Sequence, residues 1–167
     1  GNMISEWISE LIRLFPEDLA DCCEINDNEI YLRVSPQGLK AVASYLVNHT
    51  GCPLSDLFAL DERERTGHFT VCHTFANRTE GQLLTLKLPV DPADCTFPSL
   101  SDTVHAAALY EREIQDLFGL RPTGHPDPRR LVFHGNWPAG QFPLRRDYPR
   151  GHRPPRASEE IQFRKVE

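Results

Sequence analysis

The chain lacks the features that mark most independent catalysts and membrane proteins. No apolar run approaches the about 20 residues a membrane helix needs, so no span is expected. Its first residues do not read as a secretory signal. Cys-x-x-Cys, His-x-His and His-Glu-x-x-His are all absent. The usual zinc and iron–sulfur spacings are therefore missing, and no metal or other cofactor is expected within this chain. No phosphate-cradling glycine loop, dinucleotide fingerprint or Ser-His-Asp setting is present, and there are no internal repeats. The five cysteines, Cys22, Cys23, Cys52, Cys72 and Cys95, are odd in number and irregular in spacing. That argues against a disulfide framework and for a reducing compartment, the cytoplasm. The vicinal Cys22–Cys23 reads as ordinary sequence rather than a redox pair.

What is present fits one domain. At 167 residues and 40% hydrophobic content, the chain can bury one modest core. Its charge is divided. Residues 1–120 carry 8 Lys/Arg against 19 Asp/Glu, a net of −11, whereas residues 121–156 carry 8 Arg against 2 acids, a net of +6. Eight of the 14 prolines lie beyond residue 120, where they forbid regular helix. An acidic body over 1–120 with an extended, basic, Pro/Arg-rich docking arm over 121–167 is the expected organisation, the two forming one structural unit.

Periodicity assigns the elements of the body. Ile4, Trp7, Ile8, Leu11 and Phe15 recur at helical spacing, and Pro16 stops that helix. Ile30, Leu32 and Val34 alternate as a short strand. Ser35 is suited to cap a second helix with Pro36 at its first position, Leu39, Val42, Ala43 and Leu46 as its buried stripe and Gly51 just past its end. Strands are expected over 56–64, 67–77 and 82–90, the last two joined through Arg78-Thr79-Glu80-Gly81 as a hairpin. A third helix is expected over 101–118. The order, roughly αβαβββα, predicts an α+β fold built as a two-layer sandwich.

The third helix carries an anomaly. Val104, Ala107, Tyr110, Ile114, Leu117 and Phe118 share one face at about 100° per residue, and Glu111 falls inside that stripe. The plain reading is a rim glutamate whose end reaches water, since burying an unpaired carboxylate costs several kcal/mol or forces its protonation. Arg112 and Asp116 fall on the opposite face as an i,i+4 pair, worth about 0.2–0.5 kcal/mol. Glu111 and Glu113 diverge by about 200° and do not form a catalytic carboxylate pair.

The run Glu111-Arg112-Glu113-x-x-Asp116-Leu117-Phe118, followed by His125 and by Arg129-Arg130-Leu131-Val132, resembles the signature of the NADH dehydrogenase 30 kDa subunit family. Pro143-Leu144-Arg145-Arg146-Asp147-Tyr148-Pro149 is similar to that family's ending. Together these motifs cover about 40 residues. The family has two relevant branches, a separate complex I subunit and the N-terminal domain of the large subunit of membrane-bound nickel–iron hydrogenases such as those of formate hydrogenlyase. His134-Gly135-Asn136-Trp137-Pro138-Ala139-Gly140 is more similar to the hydrogenase branch. On that branch the chain is the amino-terminal part of a longer polypeptide.

The resemblance implies an accessory and assembly role, without a catalytic centre in the chain itself. The domain docks on the catalytic large subunit of a hydrogenase or of complex I, beside iron–sulfur subunits. The nickel–iron (NiFe) centre or iron–sulfur clusters lie in those partners or in a C-terminal continuation. The activity supported on the hydrogenase branch is hydrogen evolution from formate; the alternative is NADH:quinone oxidoreduction. The location implied is cytoplasmic, peripheral at the inner face of the cell membrane. Residues implicated in docking are Glu111, Arg112, Glu113, Asp116, His125, Arg129, Arg130, Arg145, Arg146, Asp147 and Tyr148. A Pro-rich arm loses less entropy on ordering than a flexible coil, and its arginines suit bidentate carboxylate contacts; Glu111 is the expected anchor of the arm. A nucleic-acid module is the competing class, because eight arginines in 36 residues suit phosphates. The acidic body opposes it, and Trp137, Phe142 and Tyr148 are few aromatics for base stacking, so no nucleic-acid partner is expected.

Overall fold

In the computed structural model, which describes residues 4–124, the first helix, α1 (Glu6–Leu14), buries Ile8 and Leu11. It stops at Phe15 before Pro16, as the sequence requires. Two strands follow, β1 (Leu19–Asn26) and β2 (Glu29–Val34). They are joined by a tight turn in which the Asn28 amide donates to Asn26 Oδ1 at 2.7 Å. β1 was not expected from the sequence. It is an edge strand on which only Leu19 is buried. Register shifts break its pairing with β2 after Ala20 and after Glu24, and Asp21 takes a positive φ. Its residues therefore never show the two-residue alternation that identifies a half-buried strand.

Helix α2 (Leu39–Ser44) continues into a wider π turn over Tyr45–His49, where the Thr50 amide donates to Tyr45 O at 3.1 Å. Regular helix begins three residues later than Pro36, with Gly38 rather than Ser35 at its N-cap; Ser35 instead closes the turn that leads into it. Ser35 Oγ accepts from the Gly38 amide at 3.0 Å and donates to Asp18 Oδ1 at 2.7 Å. Gly38 is required for close approach, since a Cβ there would lie 2.2 Å from Asp18 Cγ. Gly51 takes a φ of 72° just beyond the helix, as expected.

β3 (Leu54–Glu62), the single helical turn α3 (Arg63–Thr66) and β4 (His68–Asn77) form one hairpin-like unit; β5 (Gln82–Val90) returns beside β4. The expected strand over 56–64 ends earlier because Arg63–Thr66 coils, closed by Gly67 at φ 86°. Across the β4–β5 link, the Glu80 amide donates to Asn77 Oδ1 at 3.0 Å, and Gly81 supplies a φ of 67°. A short parallel pair, β6 (Thr96–Pro98) and β7 (Arg121–Thr123), brackets the last helix, α4 (Ala107–Phe118). α4 starts six residues later than the sequence suggested; residues 101–106 turn instead, with Thr103 and Val104 amides donating to Leu100 O.

The main sheet has the order β1-β2-β5-β4-β3, antiparallel except for β2 with β5. On one face stand Ile30, Leu32 and Val34 of β2, Leu84, Leu86, Leu88 and Val90 of β5, Phe69, Val71 and Phe75 of β4, and Leu57 and Ala59 of β3. Ile8 and Leu11 of α1, Leu39, Val42 and Leu46 of α2 and its π turn, and Ile114, Leu117 and Phe118 of α4 complete the same core. Each of these side chains larger than alanine contributes about 1.5–3 kcal/mol by leaving water. This is the two-layer α+β arrangement the sequence predicted, enlarged by β1, α3, β6 and β7.

Candidate docking site

The last turn of α4 and the loop after β6 define the site. α4 lies against β3 and β7, with Ala107, Glu111, Ile114 and Phe118 turned to the core. Glu111 is 0% exposed. It is not a rim residue. Its Oε1 accepts from Ser99 Oγ and its Oε2 from the Leu100 amide, both at 2.7 Å. The expectation of a water-facing carboxylate fails because Pro98 and Ser99 fold back over the helix and bring two donors to it. Ser99 Oγ also lies 2.8 Å from Ser101 Oγ and accepts from the Ser101 amide at 3.0 Å. The Ser99 amide in turn donates to Thr123 O at 3.1 Å, and Thr123 Oγ1 donates to Phe97 O at 3.2 Å. Glu111 thus ties α4, through Ser99 and Leu100, to β6 and to β7.

Asp116 also departs from expectation. It lies opposite the apolar stripe, where a solvent-facing partner for Arg112 was expected, yet it is 1% exposed. Asp116, Leu117 and Phe118 are all buried while Gln115 is half-buried, so most of the last helical turn is enclosed, and Gly119, at φ 76°, turns the chain back into buried Leu120. Arg112 and Glu113 are half-buried on the same helix. His125, Arg129, Arg130, Arg145, Arg146, Asp147 and Tyr148 lie outside the described residues. Nothing in the residue pattern marks Ser99 and Leu100 as members of the site; a serine after a proline in a loop is too common a pattern to point to one carboxylate.

Other titratable groups lie elsewhere. At the end of β3, Asp61 accepts from Arg63 Nε and Nη2 at 2.9 and 2.8 Å, and the guanidinium sits 4.6 Å from the Phe69 ring centroid. Burial alone would raise the Glu62 carboxyl, but hydrogen bonds from Thr70 and Arg65, together with nearby Lys87 and Arg65 charges, hold it below the usual range. His73, in the middle of β4 between Leu57 and Leu86, is 0% exposed. Neither ring nitrogen has a partner at full hydrogen-bond geometry, although the Leu86 backbone lies close enough to favour the charged ring. Burial pulls its pKa down to about 3, opposed in part by the Leu86 backbone. Cys22 is raised by burial, by Glu24 and by Cys23, which makes its thiol a poor nucleophile. Among the described residues, no group of three or more His, Cys, Asp or Glu is placed to hold a metal. No described helix is long and apolar enough to cross a membrane.

The described residues form a mixed five-stranded sheet packed with helices, in which a buried carboxylate joins the last helix to the loop after β6. The chain belongs to the respiratory-chain NADH dehydrogenase 30 kDa subunit family, whose model matches residues 32–154. It is 33% identical over 142 residues to formate hydrogenlyase subunit 5 of Escherichia coli K12, a match covering 84% of this chain and 25% of that protein. It is also 33% identical over 156 residues to NADH-ubiquinone oxidoreductase subunit 9 of Reclinomonas americana, covering 89% of this chain and 72% of that one. The chain therefore spans about a quarter of its hydrogenlyase relative and most of its NADH-ubiquinone oxidoreductase relative. Its fold matches the trypsin-resistant fragment (1–134) of Nqo5, with a TM-score of 0.58 at 22% identity, over 73% of this chain and 97% of that one.

Proposed function

We propose that this chain is the accessory domain by which a complex-I-like oxidoreductase holds its catalytic large subunit, on the hydrogenase branch that evolves hydrogen from formate. The observation that carries this reading is the similarity to formate hydrogenlyase subunit 5, which includes the Glu111-to-Phe118 helix and continues past it. The geometry supports it. Glu111 fixes the loop beside β7, the last described strand before the basic stretch of the sequence, and a rigid anchor point lowers the entropy lost when a docking segment binds. The NiFe centre or iron–sulfur clusters belong, in this reading, to partner subunits or to a continuation of the polypeptide. The assembly sits at the cytoplasmic face of the membrane with this domain peripheral.

Gentle purification of the tagged protein from membranes of its native cells tests the proposal. The expected result is co-purification of a catalytic large subunit with nickel and iron. Flavin and iron without nickel, together with NADH dehydrogenase subunits, would move the assignment to the complex I branch. Recovery of the bare, metal-free chain would overturn the docking role.

A further inference from the structure

A groove of about 460 Å³ crosses the sheet between the β1–β2 turn and the β4–β5 link. None of its lining residues belongs to α4, β6 or β7, so it is separate from the site around Glu111. Register explains its floor. Glu29, Leu83 and Ala76 are cross-strand neighbours on β2, β5 and β4. Their side chains therefore stand in one row on one face, about 10 Å from end to end at the usual strand spacing. Arg78, one residue past the end of β4, closes the row. The walls are held in place. Gln82 Oε1 accepts from Ser5 Oγ at 3.0 Å and from Trp7 Nε1 at 2.7 Å, and Gln82 Nε2 donates to Asp27 O at 2.9 Å. The bounding turns are closed by the Asn28 amide on Asn26 Oδ1 and the Glu80 amide on Asn77 Oδ1. The lining groups, by contrast, are little engaged. Leu83 is 38% exposed. Arg78 is exposed, with no ion pair or hydrogen bond among the described residues. Glu29 accepts only at Oε2, from Asn26 at 3.2 Å.

We propose that this groove seats an extended segment of a partner protein that presents an apolar side chain between a basic and an acidic one. The apolar side chain covers Leu83 and Ala76. The basic one meets Glu29 and the acidic one meets Arg78, so opposite charges at the two ends fix the segment's register. The Asn28 and Asn77 side chains, also in the lining, meet the segment's peptide groups, for which a primary amide is suited. Because the walls are already fixed, little order is lost on the protein's side when the groove fills. A small molecule fits less well: its pockets enclose most of the ligand, whereas Leu83 and Arg78 leave this groove open. A second copy of the chain fits less well too, since a body of net −11 over residues 1–120 repels itself. The contact is additional to the docking proposed above and does not depend on it, and its test uses this chain alone.

Nitrogen-15 NMR of the full chain tests this with acetylated, amidated pentapeptides. Lys-Thr-Leu-Thr-Glu and Glu-Thr-Leu-Thr-Lys offer both chain directions. In each, alternate residues share one face of the extended peptide, with the end side chains about 13 Å apart. Control peptides carry lysine at both ends, glutamate at both ends, or alanine in place of leucine. The better mixed-charge peptide is expected to saturate in the millimolar range and to shift the backbone amides of residues 28–29 and 76–83. It is expected to bind about fivefold more tightly than each control, the scale of exposed ion pairs. Arg78→Glu makes both ends of the groove acidic and is expected to transfer the preference to the peptide with two lysines. The absence of saturable shifts, shifts confined to other residues, equal affinity for the controls, or an unchanged preference in Arg78→Glu overturns the proposal. So does free leucine binding as tightly as the pentapeptides, which would mark a small-molecule site instead.

Discussion

Replacing Glu111 separates two roles for a buried carboxylate, acceptor and charge. In Glu111→Gln the side-chain oxygen still accepts from the Leu100 amide. The new NH2 group donates to Ser99 Oγ, and that hydroxyl can turn its own hydrogen to Ser101 Oγ, 2.8 Å away. Both contacts survive as neutral bonds. A bond to a charged group contributes about 1.5–3 kcal/mol and a neutral one about 0.5–1.5, so two such exchanges cost about 2 kcal/mol. Glu111→Ala instead leaves the Leu100 amide without that acceptor, at about 1–3 kcal/mol, and opens a cavity at a fully buried position, for a total of about 4 kcal/mol. At about 2–4 °C per kcal/mol for a chain of this size, the melting temperature falls by about 6 °C for Gln and about 12 °C for Ala. Urea unfolding followed by far-UV circular dichroism measures both. If Gln costs as much as Ala, the charge rather than the bonds to Ser99 and Leu100 holds the site together, and the hydrogen-bond argument is refuted. If Ala costs under about 1 kcal/mol, the loop does not depend on Glu111 at all.

Three further outcomes follow from local geometry. His73 has a folded pKa of about 3 against an ordinary 6.5, so its contribution is complete above pH 6.5. As pH falls from 6.5 toward 3, the unfolded chain takes up the proton first, and stability drops by about 1.4 kcal/mol per pH unit. His73→Leu is expected to flatten that part of the stability profile, and an unchanged slope between pH 6 and 4 would exclude His73 as its source. Gly38→Ala drives a Cβ into the Asp18 carboxyl that Ser35 holds, an overpacking cost of about 1–3 kcal/mol. Asp18→Gly in the same chain should recover most of the steric part in a double-mutant cycle. Gly67→Ala meets no atom within 4 Å but keeps a φ of 86°, so it is expected to cost about 1 kcal/mol. Gly67→Asn should cost less, since asparagine tolerates that backbone.

The sequence was legible where burial imposes a period. β4 and β5 face the core with every second residue, α1 with every third or fourth, and their positions could be read within a residue or two. Turn chemistry was equally readable where one residue type is required, as at Gly51 and Gly81. β1 was invisible because it buries almost nothing. Its place in the sheet is set by backbone pairing to β2, which leaves no mark on residue type. The limit at the site has a different origin. Helical spacing correctly placed Glu111 in the apolar stripe, but spacing along one helix says nothing about what arrives from elsewhere. The rim reading assumed that water would satisfy the carboxylate, since no local residue could. Two of its donors are Ser99 Oγ and the Leu100 amide, twelve and eleven residues away in sequence, and one of these is a backbone group that any residue supplies. Asp116 repeats the lesson, since its burial depends on the enclosure of the last turn rather than on its helical angle. Polar groups at such joints are specified by the fold as a whole, which is why a family motif could mark Glu111 and Asp116 when their local physics could not assign their partners.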